Sequence, residues 1–429
     1  MKKTMILLAV FALAFVVRAV FLSGDTAKLE CDEAEYERLA LNLVSSRGYI
    51  NSADGSPTAL RPPLYPVFLA ATYEIFGHDL FIVRMIQVIL SALTVCLLCL
   101  IAYRIFDGTA ALVTAVMTSF YMPFARCSGM IYTETLFTFL LVLIVYMALR
   151  IKRPGPAAFC LLGLLCGLLT LVRSTAFLIP FVLVPYLFFR MRDVSFAKKA
   201  VVSLALVLSF VAAILPWSVR NYRVFGRPVF VSTNAGLNLY QAVSFTGGKV
   251  FDLDTANDPV AAKADAIVDE VERNDFYVRS AFDVYMKRPL FTLKMFAVRV
   301  LFFLNVYDWE ILGGETLNYH FLFVLPFAVL GSVFSLRRRK DAAILFLSII
   351  YFAAFTLLFP GTPRYRFPID GFIIVLASYG LVLFMRRYTN KVYPALAVSA
   401  YLIITYILYA QSLQVKYAIR ELMRRIGLW

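Results

Sequence analysis

Charged side chains are scarce in this 429-residue chain: Asp, Glu, Lys and Arg make up only 16% of positions, against 61% hydrophobic and 15% aromatic. Soluble domains carry about a quarter charged residues, so the composition excludes an ordinary water-soluble fold. Histidine is nearly missing, with His78 and His320 alone, which argues against a His-rich metal site. Six cysteines form no spacing framework. Cys96 with Cys99, and Cys160 with Cys166, read as small apolar packing residues. Cys31 and Cys127 fall on one side and leave a disulfide open. Internal repeats at a solenoid period and low-complexity tracts are absent. Acidic residues are also few, 27 against 42 basic, giving a formal net charge of +15. That excess does not call for nucleic acid, because most Lys and Arg sit in short loops where positive-inside bias and anionic lipid account for them.

What the chain has in abundance is apolar runs long enough to cross a bilayer as helices. They lie near 5–22, 80–104, 109–125, 130–150, 157–172, 175–190, 198–217, 320–336, 342–359, 369–385 and 393–411. The expected fold is an all-α integral membrane bundle of about eleven transmembrane helices. A twelfth depends on residues 289–306, where Lys294 and Arg299 would each cost about 2.5–3.5 kcal/mol near mid-bilayer. That run is therefore expected to lie at the outer interface. Lys2-Lys3 precedes a first span with no small-x-small cleavage pattern, read as an uncleaved anchor. The basic loops at Lys152-Arg153, Arg190 to Lys199, Arg337 to Lys340 and Arg386-Arg387 are expected in the cytoplasm. Residues 23–79 and 218–319 then form two external loops of one membrane domain spanning 1–429. A stripe of Tyr36, Leu39, Ala40, Leu43 and Val44 predicts a helix over Asp32 to Ser46 lying flat on the bilayer. The tail from Lys416 to Arg425 reads as an amphipathic surface helix.

The chemistry-bearing residues crowd the external ends. Glu30-Cys31-Asp32-Glu33-Ala34-Glu35-Tyr36 follows the first span. Asp32 with Glu35 could be a capping-box variant of structural value only. Glu134, however, opens a transmembrane helix, where a carboxylate is costly unless paired or functional. Arg61, Arg126, Arg173, Arg220, Arg364 and Arg366 also fall at external ends, against the inside bias, and such arginines usually have an anionic partner. Gly361-Thr362-Pro363-Arg364-Tyr365-Arg366-Phe367-Pro368 reads as a proline-bracketed turn presenting two guanidinium forks. Phosphate suits such forks. Snorkelling to lipid headgroups explains any single arginine but not their concentration on the wrong side. Carboxylates beside phosphate-binding arginines suggest transfer from a lipid-phosphate donor, with arginine neutralising the leaving group and a carboxylate as base for the acceptor hydroxyl.

The ordered set Asp32-Glu33-x-x-Tyr36, Arg61-Pro62-Pro63-Leu64-Tyr65-Pro66, Thr133-Glu134-Thr135-Leu136, Pro216-Trp217-x-x-Arg220-Asn221-Tyr222 and Pro363-Arg364-Tyr365-Arg366 resembles the GT-C membrane glycosyltransferases. The nearest branch is similar to protein O-mannosyltransferases and aminoarabinose transferases. The likeness runs over about 1–390. It implies a polyprenyl-phosphate-linked sugar donor, a glycan, lipid or protein acceptor, and a single inverting displacement at the outer face of the cytoplasmic membrane. It also implies Asp32 as the catalytic acidic residue with Glu33 beside it, Glu134 as the second acidic position, and Arg61, Arg364 and Arg366 on the donor phosphate. Tyr36, Tyr65, Arg126, Arg173, Arg220, Asn221 and Tyr365 are further candidates for substrate contact. No cofactor is expected; paired carboxylates could hold a divalent cation, but no ligand set is legible. A transporter or lipid flippase, and a polysaccharide polymerase or ligase using a diphosphate-linked donor, are the competing readings.

Overall fold

The computed structural model describes residues 2–22, 29, 31–51, 54–151, 155–244, 258–304, 318–338 and 340–387. Regular structure within them is helical, apart from one antiparallel bridge between Ile50 and Pro57. Helices α1 (Lys2–Leu22), α2 (Cys31–Val44), α3 (Leu64–Phe76) and α4 (Leu80–Ile105) lead into α5 (Gly108–Ser119), α6 (Met122–Cys127) and α7 (Glu134–Arg150). Next come α8 (Pro156–Val172), α9 (Ile179–Arg190) and α10 (Phe196–Phe225), then α11 (Ala235–Gln241), α12 (Pro259–Asp265), α13 (Glu270–Lys287) and α14 (Pro289–Phe303). The described chain closes with α15 (Tyr319–Arg338), α16 (Ala343–Phe355) and α17 (Pro363–Arg387).

Ten of the eleven anticipated apolar runs fall on helices. The run at 393–411 and the basic tail lie outside the described residues. Among the described residues, α4, α10 and α17 alone are long and apolar enough to cross a membrane. Shorter apolar helices make up much of the rest of the bundle, so length and composition do not reproduce a count of eleven or twelve. The run at 109–125 is broken: α5 stops at Ser119 and α6 restarts at Met122. At that break Arg18, fully buried on α1, donates to the Thr118 and Ser119 carbonyls, both at 3.3 Å, and to Ser91 Oγ at 2.6 Å. Its charge thereby satisfies carbonyls at the C-terminal end of α5, which favours a cation there.

Helix α17 runs through the centre of the bundle and is buried over most of its length, packed by α15, α5, α16, α4 and α7. Its approach to α15 depends on two small residues. A Cβ at Gly331 would collide with the Leu376 carbonyl, and one at Gly380 with the Phe327 carbonyl. Small residues let apolar helices meet at backbone distance, where van der Waals contact is densest. At one end of the bundle, Arg190 donates to the carbonyls of Ala148 and Leu149 and pairs with Asp341 at 3.2 Å, while Arg386 pairs with Asp107 at 2.9 Å. The basic loop residues 190 and 386 thus share the C-terminal end of α7 or of α17, a helix length of about 25 Å from the α7 N-terminus. Lys152-Arg153 lie outside the described residues.

One expectation for the loops changes. The α2 stripe does not face a bilayer: Tyr36 and Ala40 pack with Tyr65, Leu69 and Tyr73 of α3, Val83 and Ile131, while Val44 is exposed. Protein supplied the apolar partner that the sequence could only assign to lipid. In α14, Lys294 is exposed but Arg299 is buried, donating to the Ala242 carbonyl at 2.6 Å, to the Leu357 carbonyl and to the Tyr285 hydroxyl. Arg299 therefore clamps α14 to neighbouring segments.

Candidate active site

Five separate stretches of chain bring their charges to one place. Asp32 and Glu35 lie one turn apart on α2, so both carboxylates point to the same side. Both carboxylates accept from Arg61. Arg61 reaches Asp32 Oδ1 through Nη2 at 2.6 Å and Glu35 Oε2 through Nε at 2.8 Å. Its guanidinium also lies 5.4 Å from the centre of the Tyr36 ring. Arg61 comes from the segment just before Pro62-Pro63, which opens α3.

The other half is built around Glu134, the first residue of α7. Arg364 Nε and Arg173 Nη1 both donate to Glu134 Oε1, each at 2.5 Å. Arg364 also donates from Nη1 to Asp32 Oδ2 at 2.8 Å, so one guanidinium bridges both carboxylates. The Tyr132 ring lies 4.6 Å from the Arg364 guanidinium, and Arg173 lies 5.9 Å from the ring of Tyr365. Exposure separates the two acids. The Glu134 side chain is 0% exposed and the Asp32 side chain 23%, so Asp32 is the one that can meet an incoming molecule. Burial alone would push the Asp32 carboxyl up; Arg364 and Arg61 outweigh it and hold the group below its ordinary range.

Arg366 does not join this cluster. The stretch expected to be a proline-bracketed turn is instead the beginning of α17, and residues two apart on a helix point about 200° apart. Arg366 is 1% exposed; it pairs with Asp370 Oδ1 at 2.8 Å, donates to the Phe303 carbonyl at 2.8 Å and covers the Phe321 ring. Asp370 accepts in turn from the Tyr121 hydroxyl at 2.6 Å. A phosphate role for Arg366 does not fit that enclosure.

Other candidates also take structural places. Glu33 Oε1 accepts from the Ile131 backbone N–H at 2.8 Å, tying α2 to the segment before α7. Tyr65 is fully buried and donates to Gln87 Oε1 at 3.0 Å. Arg220 donates to the carbonyls of Thr58 and Tyr49 at 2.7 and 2.8 Å, and buried Asn221 donates to the Val229 carbonyl at 3.1 Å. Arg126 is exposed and makes no ion pair among the described residues. Cys31 and Cys127 are both free thiols. Among the described residues, no three His, Cys, Asp or Glu side chains converge as a metal ligand set. Glu35 and Tyr132 were missed as site residues. Glu35 was visible at helical spacing from Asp32, but nothing in the sequence announces that Tyr132 underlies Arg364.

A family model described as dolichyl-phosphate-mannose-protein mannosyltransferase matches residues 60–217. No curated protein sequence matches the chain. Among solved structures, the archaeal oligosaccharyltransferase AglB from Archaeoglobus fulgidus, in complex with an inhibitory peptide and a dolichol-phosphate, superposes with a TM-score of 0.56 at 17% identity. That match covers 94% of this chain and 54% of AglB, so the chain spans about half the length of that protein. The apo form of the same enzyme gives a TM-score of 0.57 at 16% identity, over 94% and 54%. ArnT from Cupriavidus metallidurans in the apo state gives 0.41 at 16% identity, over 89% of this chain and 78% of ArnT. The resemblance carried by the sequence motifs is borne out by the family match over 60–217, and the chain shares the membrane-enzyme fold seen in AglB.

Proposed function

We propose that this chain is a membrane glycosyltransferase that moves a sugar from a polyprenyl monophosphate to an acceptor hydroxyl at the outer face of the cytoplasmic membrane. The observation that carries this reading is the shared cluster of Asp32, Glu35 and Glu134 with Arg61, Arg173 and Arg364. Its position, one α7 length from the basic loop residues, supports an extracytoplasmic site under the positive-inside rule. The dolichol-phosphate and peptide bound by AglB support a lipid-linked donor and a separate acceptor in a fold of this kind.

In this mechanism the acceptor oxygen attacks the anomeric carbon from the face opposite the phosphate, and its proton passes to Asp32. The bond from sugar to phosphate oxygen breaks with its electrons staying on the phosphate. Arg61, Arg173 and Arg364 meet that developing charge, which is worth most where water is partly excluded. One displacement inverts the configuration.

The resting pairs give the donor a second task. A carboxylate stabilised by two guanidiniums is a weak base. A phosphate that draws Arg364 away from Asp32 relieves that stabilisation, so Asp32 gains basicity as the donor arrives. Glu134 stays buried and keeps Arg173 and Arg364 oriented.

The test is a titration of purified protein in lipid nanodiscs with a polyprenyl monophosphate and, separately, the diphosphate. Saturable monophosphate binding that Arg364→Gln weakens is expected. Wild-type binding of the diphosphate alone would favour a polymerase or ligase, and binding of neither would overturn the donor assignment.

A further inference from the structure

Arg61 hangs from a strap whose peptide groups are fastened by residues remote from the charge cluster. The Thr58 N–H donates to the Tyr49 carbonyl at 3.2 Å, and the Thr58 carbonyl accepts from Arg220 at 2.7 Å. The Ala59 N–H donates to Glu270 Oε1 at 2.9 Å, and the Ala59 carbonyl accepts from the Thr233 N–H at 3.0 Å. Leu60 N–H donates to Thr58 Oγ1 at 3.0 Å, and the Arg61 carbonyl accepts from the Tyr49 hydroxyl at 2.9 Å. Ala59 is fully buried in a small cluster with Val229 and Val271, and Pro62-Pro63 stiffens the exit.

Glu270 is the residue on which this strap converges. It opens α13, and its Oε2 accepts from the Thr58 hydroxyl at 2.6 Å while its Oε1 accepts from Ala59 N–H and from the Thr233 hydroxyl at 2.5 Å. All three donors are neutral, so the carboxylate acts here as a geometric clamp between the first loop and the segment after α10. A charge-assisted acceptor holds neutral donors more firmly than a neutral one would.

We propose that Glu270 is a positioning residue for the donor site: by clamping Thr58 to Arg61 it sets where the Arg61 guanidinium stands relative to Asp32, and so governs affinity for the donor's phosphate. This rests on the glycosyltransferase reading above, in which Arg61 meets that phosphate. Glu270 touches no reacting atom and acts wholly through Arg61. Misplacing a positioned group by an ångström costs on the order of a hundredfold in the reaction it serves.

The experiment is a double-mutant cycle on binding of a polyprenyl monophosphate to full-length protein in nanodiscs, with kcat and KM for the sugar-loaded donor alongside. Glu270→Ala is expected to weaken binding by about tenfold and to raise donor KM more than it lowers kcat. In an Arg61→Ala background the same substitution should add little, because a residue that works through Arg61 has nothing left to position. Glu270→Gln keeps an acceptor in place and should recover most of the affinity. Should Glu270→Ala fail to fold, Thr58→Val removes two of the strap's bonds and is expected to act in the same direction. Additive losses, or wild-type affinity in the Glu270→Ala or Thr58→Val protein while Arg61→Ala binds poorly, would overturn the positioning role alone. Wild-type affinity in Arg61→Ala would instead sink the donor assignment of Arg61 and this inference with it.

Discussion

Arg364 and Arg366 leave the same helix two residues apart and end in opposite circumstances. Arg364 faces a largely buried cluster that keeps one edge open to solvent, bridging Asp32 and Glu134 beside two further arginines. Arg366 faces the bundle interior, where among the described residues Asp370, the Phe303 carbonyl and the Phe321 ring hold it. The difference teaches what distinguishes a working charge from a structural one. In the first region several guanidiniums share carboxylates of which Asp32 keeps contact with solvent, so an arriving anion can exchange partners there at low cost. In the second, cation and anion are desolvated together, and removing Arg366 leaves the buried Asp370 carboxylate without the cation that balances it.

The sharpest way to break this contrast is Asp32→Asn. Turnover should fall about 100- to 10,000-fold with the fold intact, as expected for loss of a general base, measured as release of polyprenyl phosphate from sugar-loaded donor. A loss of only a few-fold would move the base role elsewhere. Arg366→Met should act on stability instead, costing about 3–5 kcal/mol by stranding Asp370, seen as a lower thermal midpoint of the solubilised protein. Pairing it with Asp370→Leu should restore much of that loss, and monophosphate affinity of the folded protein should stay near wild type.

Arg364→Gln should reverse that pattern. Loss of its charge-assisted contacts is expected to cost about 1.5–3 kcal/mol of donor affinity. The smallest effect concerns pH. Asp32 is depressed in the folded chain, so the stability it contributes is present above its unfolded value and is lost as pH falls through the folded one. The acidic limb of kcat/KM should therefore lie below the ordinary aspartate range near about 3.9 in wild type. In Arg364→Gln it should shift upward. An unmoved limb would separate Arg364 from Asp32 in solution.

Much of this was readable from residue order. Ten of the apolar runs fell on helices, the acidic stretch after the first span held Asp32, and arginines defying the inside bias included all three that gather at the site. Loop residues were harder. Tyr36 and Tyr65 looked available for substrate because a sequence does not reveal that α2 and α3 bury them against each other, and Arg220 with Asn221 looked like a recognition motif although both are spent on backbone carbonyls. Glu270 carried no signal at all, lying in a charged helix among several other acids.

Hydropathy, charge placement and motif order by themselves determined a helical membrane fold and a short roster of candidate residues, because burying apolar length and exposing charge are properties each segment carries alone. Which charges meet was decided only by tertiary structure. Pairing depends on the helical phase that turns Arg364 and Arg366 apart, and on distant segments closing around Asp32. Both are set by packing across the chain, which no local pattern encodes.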